Sequence, residues 1–166
     1  MNNNVFNKLM TNLRPKLYRF ALTYTSRTDE AEDIVQEVGM KLWERRAELA
    51  AVRNVEAYAM SSVRNLCLDY ARSHHNRTEE LIEAYDTAHE QTPYKSLEQA
   101  DMAAFVRRLI EKLPEQQKMV IRLRDIEGYE LDEIAEILEM NEGAVRTNLS
   151  RARQKIRDEL LKHDNK

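Results

Sequence analysis

Apolar residues recur every three or four positions through the first half of the chain, which is the spacing of amphipathic helices. This periodicity predicts a first helix over Phe6–Tyr24, in which Pro15 is expected to kink or divide the helix. A second helix is predicted over "EAEDIVQEVGMKLWERRAEL", with Ser26 or Thr28 as its N-cap. A third helix is predicted over "VEAYAMSSVRNLCLDYARSHH", with Asn54 as its N-cap. Its inner stripe is predicted to consist of Met60, Val63, Cys67 and Tyr70.

The helical pattern stops near Arg77. The stretch that begins there, "RTEELIEAYDTAHEQTPYKSLEQ", is polar and contains Pro93, and only a short helical piece around Glu79–Ala84 is predicted in it. Because long loops without secondary structure are uncommon inside one compact domain, the stretch indicates a flexible linker over residues 78–98. The chain is therefore predicted to form two small domains, residues 1–77 and 99–166.

Four helices are predicted in the second domain. The first two are "DMAAFVRRLIEKL" and "EQQKMVIRLRDIE", with Pro114 at the first position of the second helix and Gly128 as the glycine that ends it. A helix over Leu131–Leu138 follows, then the short break "EMN", and then a last helix with Asn141 as its N-cap. Two helices joined by so short a turn have helix-turn-helix spacing. The predicted fold class is all-α, with a three-helix bundle-like domain and a four-helix domain that contains a helix-turn-helix.

The composition agrees with this fold class. Helix-forming residues dominate, 42% of the residues are hydrophobic, and the chain has only 3 Gly and 3 Pro. The single cysteine, Cys67, excludes an intramolecular disulfide and fits a reducing compartment. No apolar run has the length of a signal peptide or of a membrane span. We therefore expect a soluble cytoplasmic protein.

Charge is sorted along the second domain. The residues 125–142 carry eight acids and no base, whereas residues 144–166 carry seven bases and three acids, in a chain whose formal net charge is -3. On the last helix, Val145, Leu149 and Ala152 share one face, Thr147, Ser150 and Arg151 point away from it, and Arg146, Arg153 and Arg157 line one flank. A basic amphipathic helix by itself is usually a solvated surface helix. The preceding helix and turn favour a recognition helix for the major groove of DNA instead.

Motifs for catalysis, cofactors or metals are missing from the sequence. The acids of the second helix do not indicate a paired-carboxylate site, and there is no Gly-rich phosphate loop. His74 and His75 lie near Cys67 without the spacing of metal ligands, so they are interpreted as exposed histidines at a helix end. We expect no enzymatic activity, no cofactor and no metal.

Two blocks of the chain resemble a known family. The block "LPEQQKMVIRLRDIEGYELDEIAEILEMNEGAVRTNLSRARQKIRDEL" resembles region 4 of the extracytoplasmic-function (ECF) sigma factors. The blocks "LYRFALTYTSRTDEAEDIVQEVGMKLWERR" and "NVEAYAMSSVRNLCLDYARSHHNR" resemble region 2 of the same family. The resemblance covers about residues 15–77 and 100–162. A helix-turn-helix alone is a weak signal, but two blocks in this order with a linker between them are specific.

The chain departs from the family pattern at several positions. Gly39 stands where the family has an aromatic or large apolar residue, which leaves the local helix packing open. Glu139 occupies a turn position that is often Gly, so a left-handed conformation there would cost about 1 kcal/mol. Ala144 and Asn148 replace Thr and Arg on the face that would read DNA, which leaves the promoter sequence open. The other replacements are Tyr58 for Trp, Lys118 for Arg and Glu130 for Ser.

The resemblance implies a promoter-specificity subunit of bacterial core RNA polymerase. The second domain would bind the minus-35 element, and the residues implied are Arg146, Thr147, Asn148, Arg151 and Arg153. The first domain would open the minus-10 element with the loop "AELAAVRN" and with Tyr58, Arg64, Asn65, Asp69 and Arg72. The polymerase would be bound through Asp33, Gln36, Glu37 and Met40, and an anti-sigma factor is a partner common in the family. Promoter DNA, core polymerase and an anti-sigma factor are thus the expected partners.

Less specific interpretations remain open at the sequence level. A core position is the alternative interpretation of Tyr58 and the favoured interpretation of Tyr70, and simple solvation is the alternative interpretation of Arg64 and Arg72. The main alternative function is a helix-turn-helix regulator that binds DNA without joining polymerase. A third class is a helical adaptor that binds only proteins.

Overall fold

The computed structural model describes residues 1–73 and 97–165. These two ranges contain helices and their connecting turns and no β-strand, which confirms the all-α fold class. The chain divides into two compact units, Met1–Glu90 and Gln91–Lys166, and each is described here by itself. Most of the predicted linker, the predicted helical piece Glu79–Ala84, and His74 and His75 lie outside the described residues. The domain boundaries drawn from the sequence stay a prediction.

The described part of the first unit consists of three long helices and one short one. These are α1 (Asn3–Thr25), α2 (Thr28–Glu44), α3 (Arg46–Leu49) and α4 (Val55–Ser73), and α1, α2 and α4 pack pairwise against one another. The core is formed by the predicted apolar stripes, and its fully buried members include Leu17, Ile34, Val38, Leu42, Met60 and Val63. Removal of each such side chain from water contributes about 1.5–3 kcal/mol. Of the predicted inner stripe of α4, Met60, Val63 and Cys67 are buried and Tyr70 is half-buried.

Pro15 lies inside α1 and does not divide it. Proline has no N–H for the carbonyl oxygen four residues earlier, which here is that of Thr11. Both Pro15 and Thr11 are exposed, so water can satisfy that carbonyl group and the helix continues to Thr25.

Two predicted N-caps are confirmed and two are wrong. Asn54 accepts a hydrogen bond from the Ala57 amide at 3.0 Å, and Asn141 accepts one from the Ala144 amide at 2.7 Å. Neither Ser26 nor Thr28 caps α2. Because α1 extends to Thr25, Ser26 ends that helix in the left-handed conformation (φ 57), its amide donates to the Leu22 carbonyl at 3.0 Å, and Thr28 is already the first residue of α2.

The described part of the second unit contains α5 (Leu97–Glu111), α6 (Glu115–Ile121), α7 (Leu131–Leu138) and α8 (Glu142–Asp164). The long α8 packs against the other three helices. The core of this second unit includes Leu109, Ile110, Met119, Val120, Leu123, Ile134, Ile137, Val145, Leu149 and Ala152. Pro114 was predicted at the first helical position (N1) of α6, but the helix begins at Glu115 and Pro114 is its N-cap.

A π-helical turn, Arg122–Ile126, continues α6. Its backbone is closed by the Glu127 amide, which donates to the Arg122 carbonyl at 3.0 Å. Gly128 follows with φ 81, a conformation that glycine adopts without strain, so the predicted terminating glycine is confirmed. Arg122 is 6% exposed and pairs with Glu111 of α5. Burial lowers the pKa of Arg122 to about 10.

The turn between α7 and α8 has the geometry of a helix-turn-helix. Glu139 ends α7 in the left-handed conformation with φ 55, as expected for a position where the family often has Gly. At the start of α7, the Glu130 amide donates to the Glu133 carboxylate at 3.0 Å, which partly replaces the cap that a serine would supply.

Candidate nucleic-acid and protein interfaces

The face of α8 that the sequence predicts for DNA is turned outward. Val145, Leu149 and Ala152 are buried, whereas Thr147 and Arg151 on the opposite side and Arg146 and Arg153 on one flank are exposed. Asn148 is half-buried. A helix with this distribution offers hydroxyl and guanidinium donors to base edges and phosphates while its apolar edge stays in the core.

Asn148 is partly committed to its own helix. Its Nδ2 donates to the Ala144 carbonyl at 2.8 Å, which is a local bond within one helical turn. An asparagine that reads adenine in two-point fashion presents both its amide oxygen and its amide nitrogen to the base. Asn148 can read adenine in this way only through the second hydrogen on Nδ2, because the first is used in the bond to Ala144.

Arg153 forms a two-point ion pair with Asp125 of the π-helical turn. Arg153 Nε lies 3.0 Å from Asp125 Oδ2, and Nη2 lies 2.6 Å from Oδ1. The hydrogen bond to Asp125 raises the pKa of Arg153. Sequence reasoning placed Asp125 only in a run of acids and gave it no role. Two residues 28 positions apart on different elements leave no periodic signal that would connect them.

A cavity of about 350 Å³ lies between the C-terminal part of α2 and α4. It brings together three of the five residues predicted for the minus-10 element, Tyr58, Asn65 and Asp69, with Lys41 and Arg45 of the neighbouring segment. The cavity therefore combines an aromatic ring, amide and carboxylate groups, and two cations. These groups suit a captured, unstacked base and its phosphate. Of the other two predicted residues, Arg64 is half-buried and Arg72 is exposed, and neither lines the cavity.

Tyr58 is half-buried, and its hydroxyl oxygen accepts a hydrogen bond from Arg45 Nη1 at 3.3 Å. This bond is the first cause of the raised pKa of Arg45. Next to Asp69, the Asn65 Oδ1 accepts from Arg64 Nη1 at 3.4 Å. Tyr58 is thus a wall of the cavity and not a fully buried core residue. Tyr70 is half-buried as well, and its pKa is raised by burial and then by Glu37, Asp33 and Glu30.

The predicted loop "AELAAVRN" is helical in its first three residues, which belong to α3, and only its remainder connects α3 to α4. The segment is anchored at its beginning. The Trp43 ring meets the Phe6 ring edge-on at a centroid distance of 5.1 Å. The Arg46 guanidinium lies 3.9 Å from the Trp43 ring centroid, and its Nη1 donates to the Trp43 carbonyl at 2.8 Å. Leu49 is buried. The loop therefore starts from a fixed point beside the cavity.

The predicted polymerase-binding residues form an outer face of α2. Asp33 and Gln36 are exposed, Glu37 is half-buried, and Met40 is 65% exposed. Glu37 lies 3.8 Å from Lys41 in an ion pair along the helix. An exposed methionine among acids is a surface that suits a basic partner with an apolar centre. A groove of about 720 Å³ between α1 and α2 borders this face at Gln36.

The described residues hold no group of three or more His, Cys, Asp or Glu side chains arranged for a metal ion. Cys67 is buried, and burial raises the pKa of its thiol to about 12. Among the helices in residues 1–73 and 97–165, none is long and apolar enough to cross a membrane.

Comparison with known families identifies both units. Residues 9–77 match the family described as sigma-70 region 2, and residues 106–156 match the family described as sigma-70, region 4. The first match includes the α2 face and the α4 cavity, and the second includes α6, the π-helical turn, α7 and most of α8.

Whole-chain relatives agree with both matches. The chain is 27% identical to a probable RNA polymerase sigma factor RfaY of Xanthomonas campestris over 94% of its own length, and 30% identical to the ECF RNA polymerase sigma factor SigE of Mycolicibacterium smegmatis over 89%. It spans 40% and 58% of the length of these two relatives. Among solved structures, the sigma factor RpoE of Bartonella quintana, crystallised with the anti-sigma factor NepR, is 26% identical with a TM-score of 0.72. The similarity covers 95% of this chain and 96% of that one.

Proposed function

This chain belongs to the sigma-70 family, in its extracytoplasmic-function (ECF) branch, and from that membership we propose that it joins bacterial core RNA polymerase and directs promoter-specific initiation of transcription. The observation that carries the proposal is the outward face of α8, where exposed Arg and Thr side chains stand over a buried Val145–Leu149–Ala152 edge. The chain would act without catalysis of its own, in the cytoplasm, where the polymerase works.

The second unit, assigned to residues 99–166, is proposed to bind the minus-35 element. Its helix-turn-helix would place the N-terminal half of α8 in the major groove. Thr147, Asn148 and Arg151 would meet base edges, and Arg146 and Arg153 would hold the flanking phosphates. The exposure of Arg146 and Arg151 supports their assignment to DNA contacts, because both guanidinium groups are accessible without any rearrangement of the core.

The first unit, assigned to residues 1–77, is proposed to capture the minus-10 element in its opened form. The cavity beside Tyr58, Asn65 and Asp69 is of a size for an unstacked base, and Lys41 and Arg45 would attract its phosphate. Arg64 and Arg72 lie outside the cavity lining and would contact the backbone on either side of the captured base. The anchored loop "AELAAVRN" would form the edge of this site.

The outer face of α2 is proposed to bind core polymerase. Asp33, Gln36 and Met40 are exposed, and Glu37 is within reach of a partner cation despite its pair with Lys41. Acids in this place would steer a basic partner surface toward the helix, and Met40 would supply an apolar contact. An anti-sigma factor that covers this face would keep the chain from polymerase, and the related RpoE structure with its anti-sigma factor supports such a partner.

The proposal is tested by co-purification of the full chain with core polymerase, followed by mapping of the transcripts that the complex starts. We expect a stoichiometric complex and a set of start sites that share two sequence elements upstream. Core polymerase alone is the control for start-site selection. A chain that stays apart from core but binds one duplex sequence tightly on its own would support the helix-turn-helix regulator instead.

A further inference from the structure

The ion pair between Arg153 and Asp125 joins the proposed DNA-binding helix to the π-helical turn Arg122–Ile126. Two nitrogens of one guanidinium meet the two oxygens of one carboxylate, Nε with Oδ2 at 3.0 Å and Nη2 with Oδ1 at 2.6 Å. Such a two-point pair fixes the plane of the guanidinium and not only its distance. The third guanidinium nitrogen, Nη1, takes no part in the pair.

Stability is a weak explanation for this pair. The side chains of Arg153 and Asp125 are 47% and 37% exposed, and ion pairs in such surroundings contribute little to folding. An acid beside a helix that binds a polyanion also carries a cost, because it repels phosphates. A geometry this specific in so unfavourable a place indicates a role in orienting the arginine.

The π-helical turn explains how Asp125 reaches Arg153. One extra residue in the turn rotates the residues after it by about 100° relative to a regular α-helix. The turn is anchored from inside by buried Arg122 and Leu123, and Arg124 Nη1 donates to the Tyr129 carbonyl at 2.9 Å. Asp125 therefore projects from a backbone that is held on both sides. Turns of this kind recur at functional sites.

We propose that Asp125 is a positioning residue, which holds the Arg153 guanidinium so that Nη1 donates to a DNA backbone phosphate. Arg153 lies seven residues, about two helical turns, after Arg146, so both stand on one flank of α8. With Arg153 held in place, less side-chain freedom is lost when the phosphate is bound. This inference rests on the proposed contact of α8 with promoter DNA and names a residue outside α8 that completes it.

The test is a titration of the full chain in complex with core polymerase, against a fluorescent duplex that the wild-type complex selects from a randomised duplex library, over a series of salt concentrations. Arg153→Ala and Asp125→Ala are each expected to weaken binding roughly tenfold, and the double variant is expected to be no weaker than Arg153→Ala. Arg153→Ala should also reduce the slope of log affinity against log salt by about 1, as the loss of one phosphate contact requires. Glu136→Ala, which removes another exposed acid of the same unit, is the control for net charge and should not weaken binding.

A charge swap separates positioning from simple bracing of the helix. Asp125→Arg combined with Arg153→Asp restores an ion pair in the same place but leaves no arginine on α8 at this position. We expect the swap to leave thermal stability close to that of the wild type and not to restore DNA affinity. Recovery of DNA affinity in the swap, or undiminished binding by Asp125→Ala, would overturn the inference. If Arg151→Ala weakens binding by the complex while Asp125→Ala does not, only this inference fails; if the wild-type complex selects no duplex at all, the proposed minus-35 contact fails with it.

Discussion

Gly39 offers a measurable test of how α2 is built. It lies inside α2, five residues before the helix ends at Glu44, and it is half-buried against α1. A methyl group added at Gly39 would lie 3.5 Å from Met10 Cε, which is an ordinary van der Waals contact. The substitution Gly39→Ala therefore meets no steric obstacle, although the family usually has a large residue at this position.

The expected gain follows from helix propensity. Glycine inside a helix is about 0.5–1 kcal/mol less favourable than alanine, because it loses more backbone freedom on folding. The contact with Met10 adds to this gain and does not oppose it. For a unit of this size, about 0.5–1 kcal/mol corresponds to an increase of roughly 3–6 °C in the midpoint of thermal unfolding.

The chain contains one tryptophan, Trp43, and it lies in the same unit as Gly39. Trp43 fluorescence during thermal or urea unfolding therefore reports on the first unit. The matched control is Gly128→Ala, which has open space around it but φ 81, so it should destabilise the second unit by about 1 kcal/mol when unfolding is followed by circular dichroism. If Gly39→Ala lowers the Trp43 unfolding midpoint, or leaves it unchanged, the packing of α2 against α1 deduced here is wrong.

Three further predictions concern the thiol, the recognition helix and the α2 face. Burial raises the pKa of Cys67 from 9.0 to about 12, so the neutral thiol contributes stability below pH 9 that is lost as the pH rises toward 12, by up to about 1.4 kcal/mol per pH unit. Between pH 9 and 12 the free energy of unfolding of the wild type should therefore fall relative to that of Cys67→Ala. If both proteins show the same pH dependence, the thiol is not buried. Arg151→Ala should weaken promoter binding by about 1–3 kcal/mol in run-off transcription with reconstituted polymerase, and unchanged transcription would remove Arg151 from the proposed contact. Asp33→Ala combined with Gln36→Ala should reduce co-purification with core polymerase. The control is Lys8→Ala, which changes an exposed residue of α1 and should not reduce it. Undiminished binding by the α2 double variant would mean that polymerase does not bind this face of α2.

Hydrophobic periodicity was sufficient to predict the helices, because each long helix buries one apolar face. Leu17, Ile34, Val63 and Leu149 lie in the core, where their spacing placed them. Caps were predictable where one residue fits both the sequence and the geometry, as Asn54 and Asn141 do. The N-cap of α2 could not be predicted in this way, because the start of α2 depends on how far α1 continues. Ser26 is the C-cap of α1 instead.

Three features of the structure could not be predicted from the sequence. The π-helical turn inserts one residue between apolar positions, and a short apolar pattern does not distinguish it from a regular helix end. Arg122 belongs to a charged residue type that is mostly exposed, yet it is buried because Glu111 of another helix neutralises it. The cavity beside Tyr58 likewise depends on the approach of Lys41 of α2 and of Arg45, the C-cap of α2. For Arg122 and for the cavity, the deciding contact lies outside the window in which periodicity is read.

The separation of charge between surfaces offers a reason for the net charge of -3 in a protein proposed to bind DNA. Acids on the α2 face favour a basic protein partner and repel DNA, whereas the exposed side of α8 attracts it. Asp125, an acid beside the basic helix, is paired with Arg153 and lowers the positive charge that this helix offers to DNA. The chain alone should therefore bind duplex DNA weakly, since its net charge is negative. Core polymerase, by holding both units on one promoter, would add the second contact at a high effective concentration, so promoter recognition becomes conditional on assembly.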